Sequence, residues 1–169
     1  MGFVHIYTGN GRGKTTAAIG LAIRAAGAGF KVAIIQFLKG MEYSEVKALK
    51  SISSIELYQY GRKCFIRSAP EKEDIEIAQK GISLAEKLIK SGKYRLVILD
   101  EINVAIYFGL ISTARVLNIV KNRPENVDIL LTGRYAPKEL IDLADLVTEM
   151  VEIKHYYRKG IKGRKGFEY

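Results

Sequence analysis

The segment Thr8-Gly9-Asn10-Gly11-Arg12-Gly13-Lys14-Thr15-Thr16 carries the residue types that hold a polyphosphate. Its glycines open backbone conformations closed to other residues and let the main chain approach a ligand closely. The loop amides can then point inward as an anion nest, backed by the positive end of a following helix. Lys14 adds a mobile positive charge, and the hydroxyl of Thr15 or Thr16 suits a bound magnesium ion. The phosphate-loop pattern is G-x-x-x-x-G-K-[ST]. Counting back five from Gly13 reaches Thr8, and the first glycine stands one place later, at Gly9. The loop is a variant that keeps every part needed for triphosphate but departs from ordinary kinases and GTPases.

A second constellation is Leu96-Val97-Ile98-Leu99-Asp100-Glu101. An apolar strand ending in two acids is the Walker B arrangement, which presents carboxylates to a metal beside a phosphate loop. Glu101 alone would also permit hydrolysis by positioning a water. Lys14 and Glu101 are the candidate catalytic residues. Residues 9–16 are the nucleotide-binding set, and Thr15, Asp100 and Glu101 the metal set. His5 alternates with Val4 and Ile6 and reads as a structural histidine. Cys64 sits in a loop-like stretch and reads as an inert thiol.

These residues need elements to hold them. Phe3–Tyr7 reads as a strand leading into the glycine-rich turn, and Lys14–Ala28 as a helix stopped by Gly27 and Gly29. Further strands are expected over 31–37, 55–60, 95–99, 127–132 and 147–153. A helix is expected to start at Ser68 with Pro70 behind it and to close at Gly92. Ile75, Ala78, Ile82, Ala85 and Ile89 form its core stripe. Shorter helices are expected over 112–121 and 137–143. Strand–helix alternation with continuously apolar strands predicts an α/β fold. It would be a single P-loop NTPase-like, RecA-like domain over residues 1–169. Its sheet would be mostly parallel, with helices on both faces.

Together the motifs resemble a family, the ATP:corrinoid adenosyltransferases of the CobA/CobO/BtuR type. The likeness rests on Tyr7–Ala18, Arg24-Ala25, Gly27, Gln36–Gly40, Leu99–Glu101, Asn122–Pro124, Thr132–Arg134 and Asp142–Asp145. It ends with Lys154-His155, Gly160 and Gly166–Tyr169. The resemblance implies transfer of the 5′-deoxyadenosyl group of ATP to the cobalt(I) of a reduced corrinoid, with release of triphosphate. It implies Mg2+ or Mn2+ as the metal, a homodimer, and a flavoprotein reductase as supplier of cobalt(I). It adds Arg134 and Lys39 as candidates for polar contacts. Tyrosine abundance separately offers Tyr156-Tyr157 or Tyr58-Tyr60 as rings for a planar macrocycle, with strand packing the expectation for Tyr58 and Tyr60. Family members often carry an N-terminal extension over the partner's active site. The first strand here begins at Phe3, so the expectation is a pocket closed by other segments or a more openly bound corrinoid.

Composition bounds the rest. The 169 residues, 48% of them apolar, can bury a core without disulfides or structural metal. One cysteine excludes a disulfide framework within the chain. No apolar run approaches the ~20 residues of a membrane span, and the expected location is the cytoplasm. Net charge is +9, and residues 154–169 hold six basic residues against one acid, +5 of the total. The body is only mildly basic, so nucleic acid is a weak expectation. The tail is either mobile or a loop that folds over a bound nucleotide or corrinoid. The rival readings are a RecA-like nucleic-acid-dependent ATPase and a P-loop small-molecule kinase.

Overall fold

The computed structural model describes residues 1–62, 70–161 and 163–167. In chain order these form β1 (Val4–Thr8), α1 (Lys14–Gly27), β2 (Val32–Phe37), α2 (Ser44–Leu49) and β3 (Ile55–Tyr60). Then come α3 (Lys72–Lys90), β4 (Leu96–Asp100), α4 (Ile102–Tyr107), α5 (Thr113–Lys121) and β5 (Asp128–Thr132). The chain closes with α6 (Lys138–Leu143), β6 (Leu146–Glu149) and a 3-10 turn over Tyr156–Lys159.

The strand runs VAIIQF and LVILD are buried at every position, as befits strands covered on both faces. Among the described residues the strands make one sheet in the order β3-β2-β4-β5-β1-β6, with every pairing parallel. On one face Ala78, Ile82, Ala85 and Ile89 of α3 pack with Ile102, Val116 and Leu140 over Ile35, Val97 and Leu131. On the other, Ala18 and Ala22 of α1 and Leu49 of α2 cover Ile34, Ile98 and Leu130. All strands are parallel, so their C-terminal ends form one edge. The phosphate loop, the Asp100-Glu101 pair and the turn after β5 share that edge.

The expected elements form with ends shifted or trimmed by a few residues, and two α-helices were not anticipated. Both α2 and α4 are only six residues long, too short to show a helical period. The helix expected from Ser68 starts at Lys72, capped by Glu71 and Asp74 in a reciprocal capping box. Ser68 itself, like Cys64, lies outside the described residues. Ile75 is not core: it is 40% exposed in the first turn of α3, whereas Ala78 onward is buried. The last strand ends at Glu149, and Ile153 is 95% exposed.

Candidate active site

Gly13 sits at φ +113 and opens α1, a conformation that glycine adopts without strain. Lys14, the first helical residue, folds back under the loop. Its ammonium donates to the carbonyls of Gly9 at 2.8 Å and Gly11 at 2.7 Å. Burial pushes its pKa down, with Glu101 pulling the other way. Gly11 answers to packing as well as to ligand approach. A Cβ there would stand 2.6 Å from the carbonyl oxygen of Met150, to which the Gly11 amide donates at 2.6 Å. The chain beyond β6 thus presses directly on the loop.

Asp100 is the hub. β4 lies between β2 and β5, so the buried carboxylate at its end collects donors from both sides. Oδ1 accepts from Thr15 at 2.9 Å and Thr132 at 2.6 Å; Oδ2 accepts from Gln36 at 3.1 Å and Lys39 at 2.9 Å. Four donors on two oxygens satisfy a charge that burial would otherwise make costly. Lys39 also donates to the Thr15 hydroxyl at 3.3 Å. Burial pushes the Lys39 ammonium down, but Asp100, Glu101 and Glu45 outweigh it, and its pKa is raised.

Glu101 differs from its neighbour. It sits in the left-handed region at φ 61, ψ 18, where it precedes α4, and the Thr132 hydroxyl accepts its amide at 3.0 Å. Such a conformation costs a non-glycine residue about 1–3 kcal/mol and marks a functional position when the surroundings enforce it. Among the described residues no side chain hydrogen-bonds its carboxyl, which faces a cavity of about 720 Å³. Burial first, and the Asp100 charge second, raise its pKa.

One wall of the cavity is the phosphate loop, including Asn10, Arg12 and the exposed Thr16; Lys39 and Arg134 flank it. The chain after β6 adds Glu152, His155, Gly166 and Phe167 to the lining. This segment is tied down by Arg12, which donates to the Tyr156 hydroxyl at 3.2 Å and to the carbonyl of Phe167. The Arg164 guanidinium stands 5.0 Å from the Tyr156 ring centroid and 4.6 Å from that of Phe167. The described part of the basic tail thus contacts the phosphate loop through Arg12.

The donor set suits a hard cation: the Thr15 hydroxyl and the Asp100 and Glu101 carboxylates are all oxygen. Among the described residues no three His, Cys, Asp or Glu side chains cluster as a metal cage. Mg2+ and Mn2+ need no such cage, because Mg2+-type sites use one or two protein oxygens and fill the rest from phosphate and water.

Lys14, Thr15, Asp100 and Glu101 are therefore brought together, as the motifs imply. His155 lines the cavity, and its Nδ1 accepts the Tyr157 amide at 3.1 Å. Tyr58 stays with its own strand and donates to Glu56, two residues before it, at 2.6 Å. The sequence assigned no role to Gln36, Thr132 or Glu152. A signal existed for the first two: each is a lone polar residue at the end of an apolar run, fully buried in the fold. Glu152 carried no pattern.

The family model described as ATP:corrinoid adenosyltransferase BtuR/CobO/CobP matches residues 1–169. The chain belongs to this family. Among curated relatives, a corrinoid adenosyltransferase of Sinorhizobium sp is 36% identical, covering 99% of this chain and 80% of its own length. Those of Pseudomonas aeruginosa and Escherichia coli K12 are 34% and 30% identical, covering 99% of this chain and 84% and 86% of theirs. Adenosyltransferase membership carries the activity class with it, ATP-dependent adenosyl transfer to a corrinoid in cobalamin synthesis or salvage. Among the described residues no helix is long and apolar enough to cross a membrane.

Proposed function

We propose that the 720 Å³ cavity holds ATP with its triphosphate in the loop of residues 9–16 and C5′ of its ribose turned to the incoming corrinoid. The lone pair of cobalt(I) attacks C5′, the C5′–O5′ bond breaks, and triphosphate leaves with that electron pair. Reduced cobalt is itself a strong nucleophile, so the protein need not supply one. Its task is positioning and electrostatic: to hold C5′ in line and to stabilise charge growing along the leaving group.

Lys14 supplies the mobile charge, released from the Gly9 and Gly11 carbonyls to phosphate oxygens. Loop amides supply the nest, and Arg134 a second cation. Mg2+ or Mn2+, held by Thr15 and Glu101, would neutralise triphosphate charge. Asp100 anchors Thr15 and Lys39 from behind. The segment from His155 to Phe167 closes the cavity over the nucleotide and excludes water. The single observation that supports this reading is the Asp100 hub, which ties the loop threonine to the strand end that carries Glu101. A homodimer in the cytoplasm, fed by a flavoprotein reductase, completes the proposal.

The test mixes the protein with ATP, magnesium and chemically reduced cobalamin and follows the cobalamin spectrum. Adenosylcobalamin with an equivalent of triphosphate is expected. Formation of ADP, or hydrolysis stimulated by nucleic acid, would overturn it in favour of a kinase or a RecA-like ATPase. Light scattering of the purified chain tests the dimer.

A further inference from the structure

Tyr107 ends α4 and Tyr135 stands three residues past β5, and their rings stack. The centroids are 4.1 Å apart with planes 26° from parallel, and the residues are 60% and 51% exposed. Tyr135 holds φ +62, a left-handed conformation that disfavours a bulky side chain. Glycine would suit that turn better, and the half-exposed ring gains little burial to offset the strain. Strain kept without a packing reason points to a ligand.

The position says which ligand. Thr132, Gly133, Arg134 and Tyr135 are consecutive. Thr132 clamps Asp100, Gly133 accepts a bond from Asn103 of α4 at 3.3 Å, and Arg134 lines the nucleotide cavity. Tyr135 thus directly follows a residue that lines that cavity, at the C-terminal edge of the sheet where open α/β folds take their ligands. A co-substrate that must reach C5′ has to settle on this edge, and a corrinoid offers a broad, flat and largely apolar face. We infer that the Tyr107–Tyr135 pair is a stacking platform that docks the corrinoid macrocycle beside the nucleotide. The inference rests on the reading of the cavity as the ATP site of an adenosyltransferase.

Tyr135→Gly removes the ring and relieves the strained turn, so the variant should fold, with a melting temperature no lower than that of the parent chain. Tyr107→Ala removes the other ring; Tyr107→Phe and Tyr135→Phe keep both. The expected result is a KM for cob(I)alamin raised about fivefold to tenfold in the first two, the order of one lost aromatic stack. The KM for ATP should be unchanged, and the phenylalanine variants should match the parent. Binding of cob(II)alamin, followed by absorbance without turnover, should weaken in parallel. Unchanged corrinoid KM and binding in well-folded Tyr135→Gly and Tyr107→Ala would overturn the platform while leaving the adenosyltransferase reading intact. So would a rise confined to the KM for ATP, which would place adenine on the rings. A parent chain that makes no adenosylcobalamin overturns both readings.

Discussion

Thr132 donates its hydroxyl to Oδ1 of Asp100 at 2.6 Å, while that hydroxyl's own oxygen, Thr132 Oγ1, accepts the Glu101 amide at 3.0 Å. One hydroxyl from β5 thus fixes both acids at the end of β4. Thr132→Val keeps the shape and loses both bonds. It should cost about 1–3 kcal/mol of stability, the range for leaving buried polar groups unpaired. Turnover should fall by up to about 100-fold, because the acids would no longer be held in place. Thr132→Ser should restore most of both. Urea denaturation and steady-state kinetics on the three proteins decide it.

Glu101 has its pKa raised from the ordinary 4.5 by burial and by Asp100. Between its unfolded and folded values the native state holds a proton that the unfolded chain has lost, so stability falls as pH rises through that window. Glu101→Gln should therefore stabilise the nucleotide-free protein at neutral pH, and the gain should vanish on acidification, where Glu101 is itself protonated. The same variant should lose about 100-fold or more in kcat, with wild-type activity declining on the acid side at a higher pH than an ordinary glutamate would give. Melting curves and rates across pH test both halves.

Lys39 gives the opposite sign. Its pKa is raised above 10.5, chiefly by Asp100 once burial is overcome. Its contribution is fully present below that value and lost as pH climbs through the folded one. Lys39→Met should destabilise by about 2 kcal/mol, since it strips a buried carboxylate of its cation. The gap to the parent should be constant from neutral pH to about 10 and close only in stronger alkali. Denaturation midpoints at three pH values are enough.

Arg12 ties the end of the chain to the phosphate loop through Tyr156 and Phe167. Arg12→Ala should raise the KM for ATP roughly tenfold, in line with the loss of charge-assisted hydrogen bonds. Trypsin should also cut faster within residues 159–165. An unaltered cleavage rate would show that the tie does not hold the segment.

Most of the fold was legible because β2 and β4 are unbroken apolar runs and α3 keeps its stripe from Ala78 onward. Helical periodicity needs two or three turns to register, and six-residue α2 and α4 have no proline to mark a start, as Pro137 marks the equally short α6. Ile75 misled because spacing alone cannot say where a helix overhangs its sheet. At the site, Lys14, Thr15, Asp100 and Glu101 were legible from spacing around one loop and one strand end. The roles of Gln36 and Thr132 were not, because each depends on which strands flank β4, and strand order is not written in any local pattern. The glycine at position 11 was legible for the wrong reason in part, since the Met150 carbonyl demands it as much as a phosphate would.

The position of β1 has a consequence for how the protein is made. β1 is synthesised before the other five described strands, yet both its neighbours come much later in the chain: Val4 pairs with Ile129 and His5 with Leu146. Until residues 128–149 have been synthesised, β1 has no edge to join, and the loop it carries has no Thr132 or Met150 to shape it. β2, β3 and β4, contiguous in the sheet, can pair long before that. The shape of the phosphate loop therefore waits on the synthesis of residues 128–149.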